Sequence, residues 1–237
     1  MAGITGQFDW QTSEVVPAYV KGKDAKAIFE ATEGIRTGTM GYDEATQTFY
    51  GSTPFVAGRI DTQVRPLGLR VATLRDLSRP EVMRLIKNNH YSDTPALVLR
   101  STDDTHSKNS TLIKQIAEEA EKRNVKLPVM VTGFDVAKSP EDKNGYGIIL
   151  VPRDDFAVVN DERLDSKYHG KSFSDVDELG LPNFDENGSR TWYARNKGLS
   201  RLYLNRVLDL YSDGGSLANS SDSGRVVLVR AEGTAKK

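Results

Sequence analysis

In the N-terminal part of the chain, hydrophobic positions come in short bursts between polar ones. Val15–Val20, Ala27–Ala31, Gln47–Tyr50 and Pro54–Ile60 are β-prone, and Gly34, Gly38, Gly41 and Gly51 punctuate them, which predicts hairpins or irregular strands over Phe8–Ile60. Val64–Leu74 reads as a further strand. Ser78-Arg79-Pro80-Glu81 predicts a helix start, with Ser78 as N-cap, Glu81 in the capping-box position and Val82, Leu85 and Ile86 as the buried stripe. Ala96–Leu99 predicts a short apolar strand leading into the polar loop Ser101–Asn109. Leu112, Ile113, Ile116 and Ala120 then recur at helical spacing, with Lys and Glu on the other face through Asn124. Val125–Phe134 and Tyr146–Val151 predict strands around the loop Lys138–Gly145, Asp155–Asp185 predicts a polar irregular stretch, and strands return at Arg190–Arg195 and Arg225–Ala231. Two helices and long polar loops on a sheet make an α+β domain. No linker-like run divides the chain, so residues 1–237 are expected to form one domain with a β-rich elaboration over about residues 1–60.

Gly198–Val229 carries a different pattern. Leu202, Leu204, Leu208 and Leu210 form an apolar rail, and between them stand Tyr203, Asn205, Val207, Asp209 and Tyr211, which share neither size nor charge. Side chains of a strand alternate between faces, so the leucines are expected to be buried while the odd positions face out. The odd set continues as Asp213, Gly214, Gly215, Ser216, Asn219, Ser221, Asp222 and Ser223. All these residues are Asn, Asp, Ser, Gly, Tyr or Val, each reachable from an asparagine codon A-A-pyrimidine by changing adenines alone. Lys, Glu, Gln, Met and Trp are not reachable that way, and none occurs from Leu204 to Gly224. On composition alone the same run reads as a solvated Ser/Asn/Asp/Gly loop.

The frame around these positions resembles the variable region of diversity-generating retroelement variable proteins, closest to the archaeal and archaeal-virus branch. The matching residues are Gly198–Arg206 (G-L-S-R-L-Y-L-N-R), Leu208–Leu210 (L-x-L), Leu217–Ser220 (L-A-N-S) and Gly224–Val229 (G-R-V-V-L-V), with the aromatic strand Trp192-Tyr193-Ala194-Arg195 just upstream. The resemblance covers Ser189–Ala231, a minor part of the chain. It implies a C-type lectin-like fold, a small twisted antiparallel sheet with two helices and long loops. It also implies that residues 199–224 form the variable region, rewritten by reverse transcription that is error-prone at adenines. The terminal strand Arg225–Ala231 is expected to be central or to pair near the start of the domain. The implied function is non-enzymatic ligand binding through Tyr203, Asn205, Val207, Asp209, Tyr211, Asp213, Gly214, Gly215, Ser216, Asn219, Ser221, Asp222 and Ser223. Tyr211 is the expected main anchor and Tyr203 the second. The implied partner is a macromolecule, a cell-surface protein, and the host element a virus or mobile locus. Arg201 and Arg206 are open between packing and rim roles.

Composition narrows the other classes. The formal net charge of −1 over 237 residues gives no basic excess for a nucleic-acid partner. No apolar run reaches the ~18 residues of a membrane span, and Met1–Gly6 lacks the basic and apolar parts of a secretory signal. The absence of cysteine removes disulfides, thiolate metal sites and a cysteine nucleophile. Among relatives of the implied fold, the formylglycine-making oxidase needs cysteines, and the calcium lectins use a Glu-Pro-Asn type triplet and a Trp-Asn-Asp strand that do not occur here. His90, His106 and His169 lack the i, i+4 spacing of a helical metal site, so no metal or other cofactor is expected. The alternative reading is a hydrolase or metal-dependent enzyme using the acidic region from Asp154 to Glu178, with Asp154, Asp155 and Glu162 as an acid/base set and Asp175, Asp177 and Glu178 as cation ligands.

Overall fold

A computed structural model describes residues 4–8, 18–87 and 89–231. Strand β1 (Ala18–Tyr19) leads into helix α1 (Ala25–Ala31) and the hairpin of β2 (Gly41–Asp43) and β3 (Thr48–Tyr50). Helix α2 (Pro54–Val64) follows, then β4 (Leu69–Val71) and the short helices α3 (Leu74–Leu77) and α4 (Pro80–Ile86). The chain continues through β5 (Ser92–Leu99), α5 (Ser110–Lys122), β6 (Val129–Lys138) and β7 (Ile148–Asn160). It ends with β8 (Ser172–Val176), β9 (Pro182–Phe184), β10 (Arg190–Ala194), β11 (Leu199–Leu204), β12 (Leu210–Ser212) and β13 (Val227–Arg230).

Eight of these strands form one mixed sheet in the order β7-β6-β5-β11-β12-β10-β8-β9, and β13 lies between β1 and β4 in a three-stranded sheet. The expected α+β, C-type lectin-like arrangement is therefore corrected. The sheet is larger than that expectation, it is not wholly antiparallel because β10 and β12 run parallel, and five α-helices among the described residues replace two. Every residue of β5, inside that sheet, is buried. Leu97 and Leu99 enter one core with α2 and α5, while Ala96 and Val98 enter another with α3 and α4. A strand buried on both faces needs a covering layer on each side.

The β-rich elaboration expected over residues 1–60 is also corrected. Ala25–Ala31 and Pro54–Val64 are helices. The Thr53 hydroxyl caps α2 by accepting from the Val56 N–H at 3.3 Å, and Pro54 occupies the first turn, where no intrahelical N–H partner is needed. Because α2 is buried on nearly all sides, it shows no amphipathic stripe and reads as a strand-like apolar run. The helix expected after Ser78 exists, but Arg79 is its N-cap; Ser78 closes α3, whose capping box is Thr73 with Asp76. β7 runs to Asn160, well past the expected Val151, and β8 and β9 lie within the stretch expected to be irregular. All three sit at or near the ends of the sheet, where polar residues are tolerated and the apolar signal fades. The terminal strand is central in its own sheet and pairs with β1 near the start, as expected. Residues 15–17 of the first β-prone run lie outside the described residues.

Candidate binding face

The leucine rail is not one strand. β11 ends at Leu204, the chain reverses over residues 205–209, and β12 begins at Leu210. Alternation of faces nevertheless survives, because Leu204 pairs with Leu210 and Tyr203 with Tyr211 across the hairpin. Leu202, Leu204 and Leu210 are buried in one core with Trp192 and Ala194. Leu208 departs from the rail: it sits in the turn at φ 73°, only partly buried.

The opposite face carries a row of tyrosines in direct register. Asp93 on β5 pairs with Tyr203, Tyr203 with Tyr211, and Tyr211 with Tyr193 on β10. The rings of Tyr193 and Tyr211 stack at 4.4 Å and those of Tyr211 and Tyr203 at 5.2 Å. His169 closes one end edge-on at 5.7 Å and Tyr91 the other at 6.0 Å. Arg201 lies over the Tyr203 ring at 4.5 Å. Within the row the rings therefore cover part of one another's faces. Burial raises the pKa of the Tyr203 and Tyr211 phenols, which keeps them protonated and able to donate at neutral pH. Asp213, half-buried beside the ladder, is also raised by burial, against the pull of Arg201, His169 and Arg100.

Beneath the ladder Arg201 faces the fully buried Asp93 at 3.4 Å. Burial lifts the Asp93 carboxyl to about 6 although Arg201 pulls it down. Two further arginines are buried with no carboxylate among the described residues in salt-bridge range. Arg100 donates to the Leu164 and Ser212 carbonyls and to the hydroxyls of Ser200 and Ser212. Arg190 donates to the Leu208 carbonyl at 2.7 Å and lies 4.6 Å from the Phe173 ring centre. Desolvation lowers both guanidinium groups to about 10.

Past β12 the loop is held by its main chain. Asn109 Nδ2 donates to the Gly215 carbonyl at 3.0 Å, and the Leu217 N–H donates to the Tyr146 hydroxyl at 3.2 Å. Arg201 Nη1 donates to the Asn219 carbonyl at 2.7 Å, and the Ser221 N–H to the Tyr91 hydroxyl at 3.1 Å. The Tyr91 N–H donates to the Ser223 carbonyl at 3.3 Å. Only Leu217 and Ser220 send side chains inward; Ser220 Oγ accepts from the Ser52 N–H at 2.9 Å. Ser216, Asn219, Ser221 and Asp222 are exposed and Ser223 is half-exposed.

The expected site residues therefore fall into groups. Tyr203, Tyr211 and Asp213 share the ladder face, and Asn219 and Ser221 are tied beside it through Arg201 and Tyr91. Val207 is 62% exposed at the hairpin tip. Asn205 works for the turn, its Oδ1 accepting from the N–H groups of Val207 and Asp209 at 2.9 and 3.1 Å. Asp209 Oδ1 accepts from the Thr191 N–H at 2.7 Å. Gly214 lies against Arg201, and Gly215 is buried where a Cβ would run into Arg195 and His106. Arg201 proves a buried packing residue and Arg206 an exposed one. Tyr91, Asp93, Asn109 and Tyr146 escaped the sequence reading, since each acts on the segment from a distant part of the chain, whereas the sequence leaves Arg201 open between packing and rim roles.

Three acids of the alternative reading are tied to arginines, and Glu162 pairs with Lys167. Asp155 bonds Arg153 and Arg65, Asp177 bonds Arg163, and Glu178 bonds Arg75. Among the described residues no group of three or more His, Asp or Glu side chains could hold a metal ion, and no helix is long and apolar enough to cross a membrane. In comparison with known proteins, no family model matches the chain, and no curated protein or solved structure matches it.

Proposed function

We propose that the chain is a non-enzymatic ligand-binding protein, and that residues 199–224 are a display segment rewritten by adenine-directed retroelement mutagenesis. One observation supports this reading above the others. The loop after β12 is gripped through its carbonyl and N–H groups by side chains that lie outside it or, with Arg201, at a position outside the proposed variable set. Main-chain groups are common to every residue type except proline, so the grip does not depend on which side chains occupy 213, 216, 219, 221, 222 and 223. A binding patch that changes freely has to be uncoupled from the core in this way, because core substitutions cost several kcal/mol each.

The ladder suits recognition of a macromolecule. Tyrosine gives large contact area at low entropic cost, and Ser, Gly, Asn and Asp give adaptable hydrogen bonds. In this copy Asp209 and Asp213 stand beside the tyrosines, a chemistry that favours a protein partner presenting Arg or Lys. The test has a genetic and a physical arm. The flanking DNA is expected to hold a template repeat that differs from codons 199–224 only at template adenines, together with a reverse transcriptase gene. A library carrying Asn, Asp, Ser, Gly, Tyr or Val at positions 203, 207, 213, 216, 219, 221, 222 and 223 is expected to keep its melting temperature within about 5 °C in most members. A template that specifies changes at Leu202, Leu204 or Leu210, or a library most of whose members fail to fold, would overturn the proposal.

A further inference from the structure

The reverse face of β11 carries a second feature, built independently of the tyrosine ladder. Two irregularities lie close together in the sheet: one between β5 and β11 around Arg201 and Tyr203, the other between β6 and β7 around Thr132 and Phe134. At the second, Gly133 adopts φ 71°, and a Cβ there would collide with the Asp155 carbonyl. Only glycine takes this conformation and this close approach at little cost. Over these bulges lies a cleft of about 270 Å³, near the lower limit of small-molecule sites. Its floor is apolar: Ala96, Met130, Ala157, Val159 and Leu202. Leu179, 40% exposed, overhangs it.

The rim is charged but self-compensated. Arg65 bonds Asp61 at 2.9 Å and Asp155 at 2.7 Å, and Arg153 bonds the same two carboxylates at 2.7 and 3.0 Å. Asp61 is in addition fixed by the Val71 N–H at 2.8 Å. Arg70 forks onto Asp76, and Glu178 pairs with Arg75. Each charge at the rim therefore faces an opposite one at bonding distance. A charged ligand would have to compete with these pairs and leave one of the rim ions without its partner, which disfavours it. A neutral ligand has no such cost.

We infer that this cleft binds a small uncharged molecule with a compact apolar body and one hydrogen-bonding group, seated on Met130 and Ala157 with Thr132 within the lining to meet its polar end. The inference does not rest on the display reading; either can fail without the other. The test uses indole as the neutral probe, with benzoate and benzylammonium as charged probes of similar bulk, added to the full chain labelled with 13C at the methionine methyls. Indole is expected to shift the Met130 methyl saturably while the Met40 methyl stays still, and both charged probes are expected to bind at least tenfold more weakly. Ala157→Leu fills the cleft from its floor and is expected to abolish the indole shift in a protein of unchanged melting temperature. Asp155→Asn removes one rim anion and is expected to raise benzoate affinity at least fivefold relative to benzylammonium. A Met130 methyl that never responds, indole binding untouched in Ala157→Leu, or equal binding of all three probes would each overturn the assignment.

Discussion

Asp93 and Arg201 show how a single buried pair can underlie a whole surface. Asp93 is completely buried, Arg201 touches it at 3.4 Å, and the same guanidinium supports Tyr203 and grips the Asn219 carbonyl. Because burial lifts Asp93 from 3.8 to about 6, the folded protein holds a proton between those values that the unfolded chain has released. This contribution to stability is complete below pH 3.8 and is lost as pH rises through 6. Urea unfolding of the wild type and of Asp93→Asn is therefore expected to diverge across that window, the asparagine variant gaining on the wild type by up to about 1.4 kcal/mol per pH unit. A constant difference from pH 4 to 7 would show that the carboxyl titrates normally. Five other carboxyls are shifted the other way, the exposed Asp43 among them through hydrogen bonds from Thr46. Burial raises Asp76, Asp104 and Asp155, but hydrogen bonds and arginine partners outweigh it, and at Asp161 the bond from Arg163 leads. With folded pKa values below 3.8, their stabilisation is lost only as pH falls past that value, so it does not confuse the comparison. At this scale the outward residues Tyr203 and Tyr211 were legible from alternation. Asp93 was not, because nothing in Ser92-Asp93-Thr94-Pro95 signals that the carboxylate lies beneath a tyrosine row.

The hairpin between β11 and β12 is the element on which the ladder depends, since its register places Tyr203 beside Tyr211. Asn205 sets the turn by accepting two N–H bonds from Val207 and Asp209, in the way short Asx side chains replace a backbone acceptor. Asn205→Ala is expected to lower stability by about 1–2 kcal/mol, whereas Asn205→Asp, which keeps the acceptor, is expected to stay within about 0.5 kcal/mol of the wild type. Denaturant midpoints decide this, and equal losses in the two variants would remove the turn role. The sequence showed leucines and aromatics alternating and suggested one long strand, because the period-two pattern runs through the turn without a break at Leu208. α2 was lost for the opposite reason: burial on nearly every side erased the stripe that marks a helix. By contrast α5, with one buried face, was legible within two residues at each end.

Across the whole molecule β13 joins what would otherwise be separate layers. Leu228, with Val226 just before the strand, enters the core that holds α2 and α5, while Val227 and Val229 enter the one that holds α3 and α4. Leu228→Ala is expected to cost about 2–5 kcal/mol and still to give a single unfolding transition, the same by far-ultraviolet circular dichroism and by tyrosine absorbance. Two separated transitions would mean that the cores unfold independently. The pairing of β13 near the start of the chain followed from sequence; the eight-strand order did not, since β11 inserts between β5 and β12 through pairings that no local pattern encodes. The grips on the loop after β12 also span the molecule, arriving from Tyr91, Asn109 and Tyr146. The proposed freedom of the outward positions among 213–223 therefore places its restrictions elsewhere. Copies of this gene that differ widely in the loop should still agree at a tyrosine more than a hundred positions upstream, and a chance change there would silence every version of the face at once.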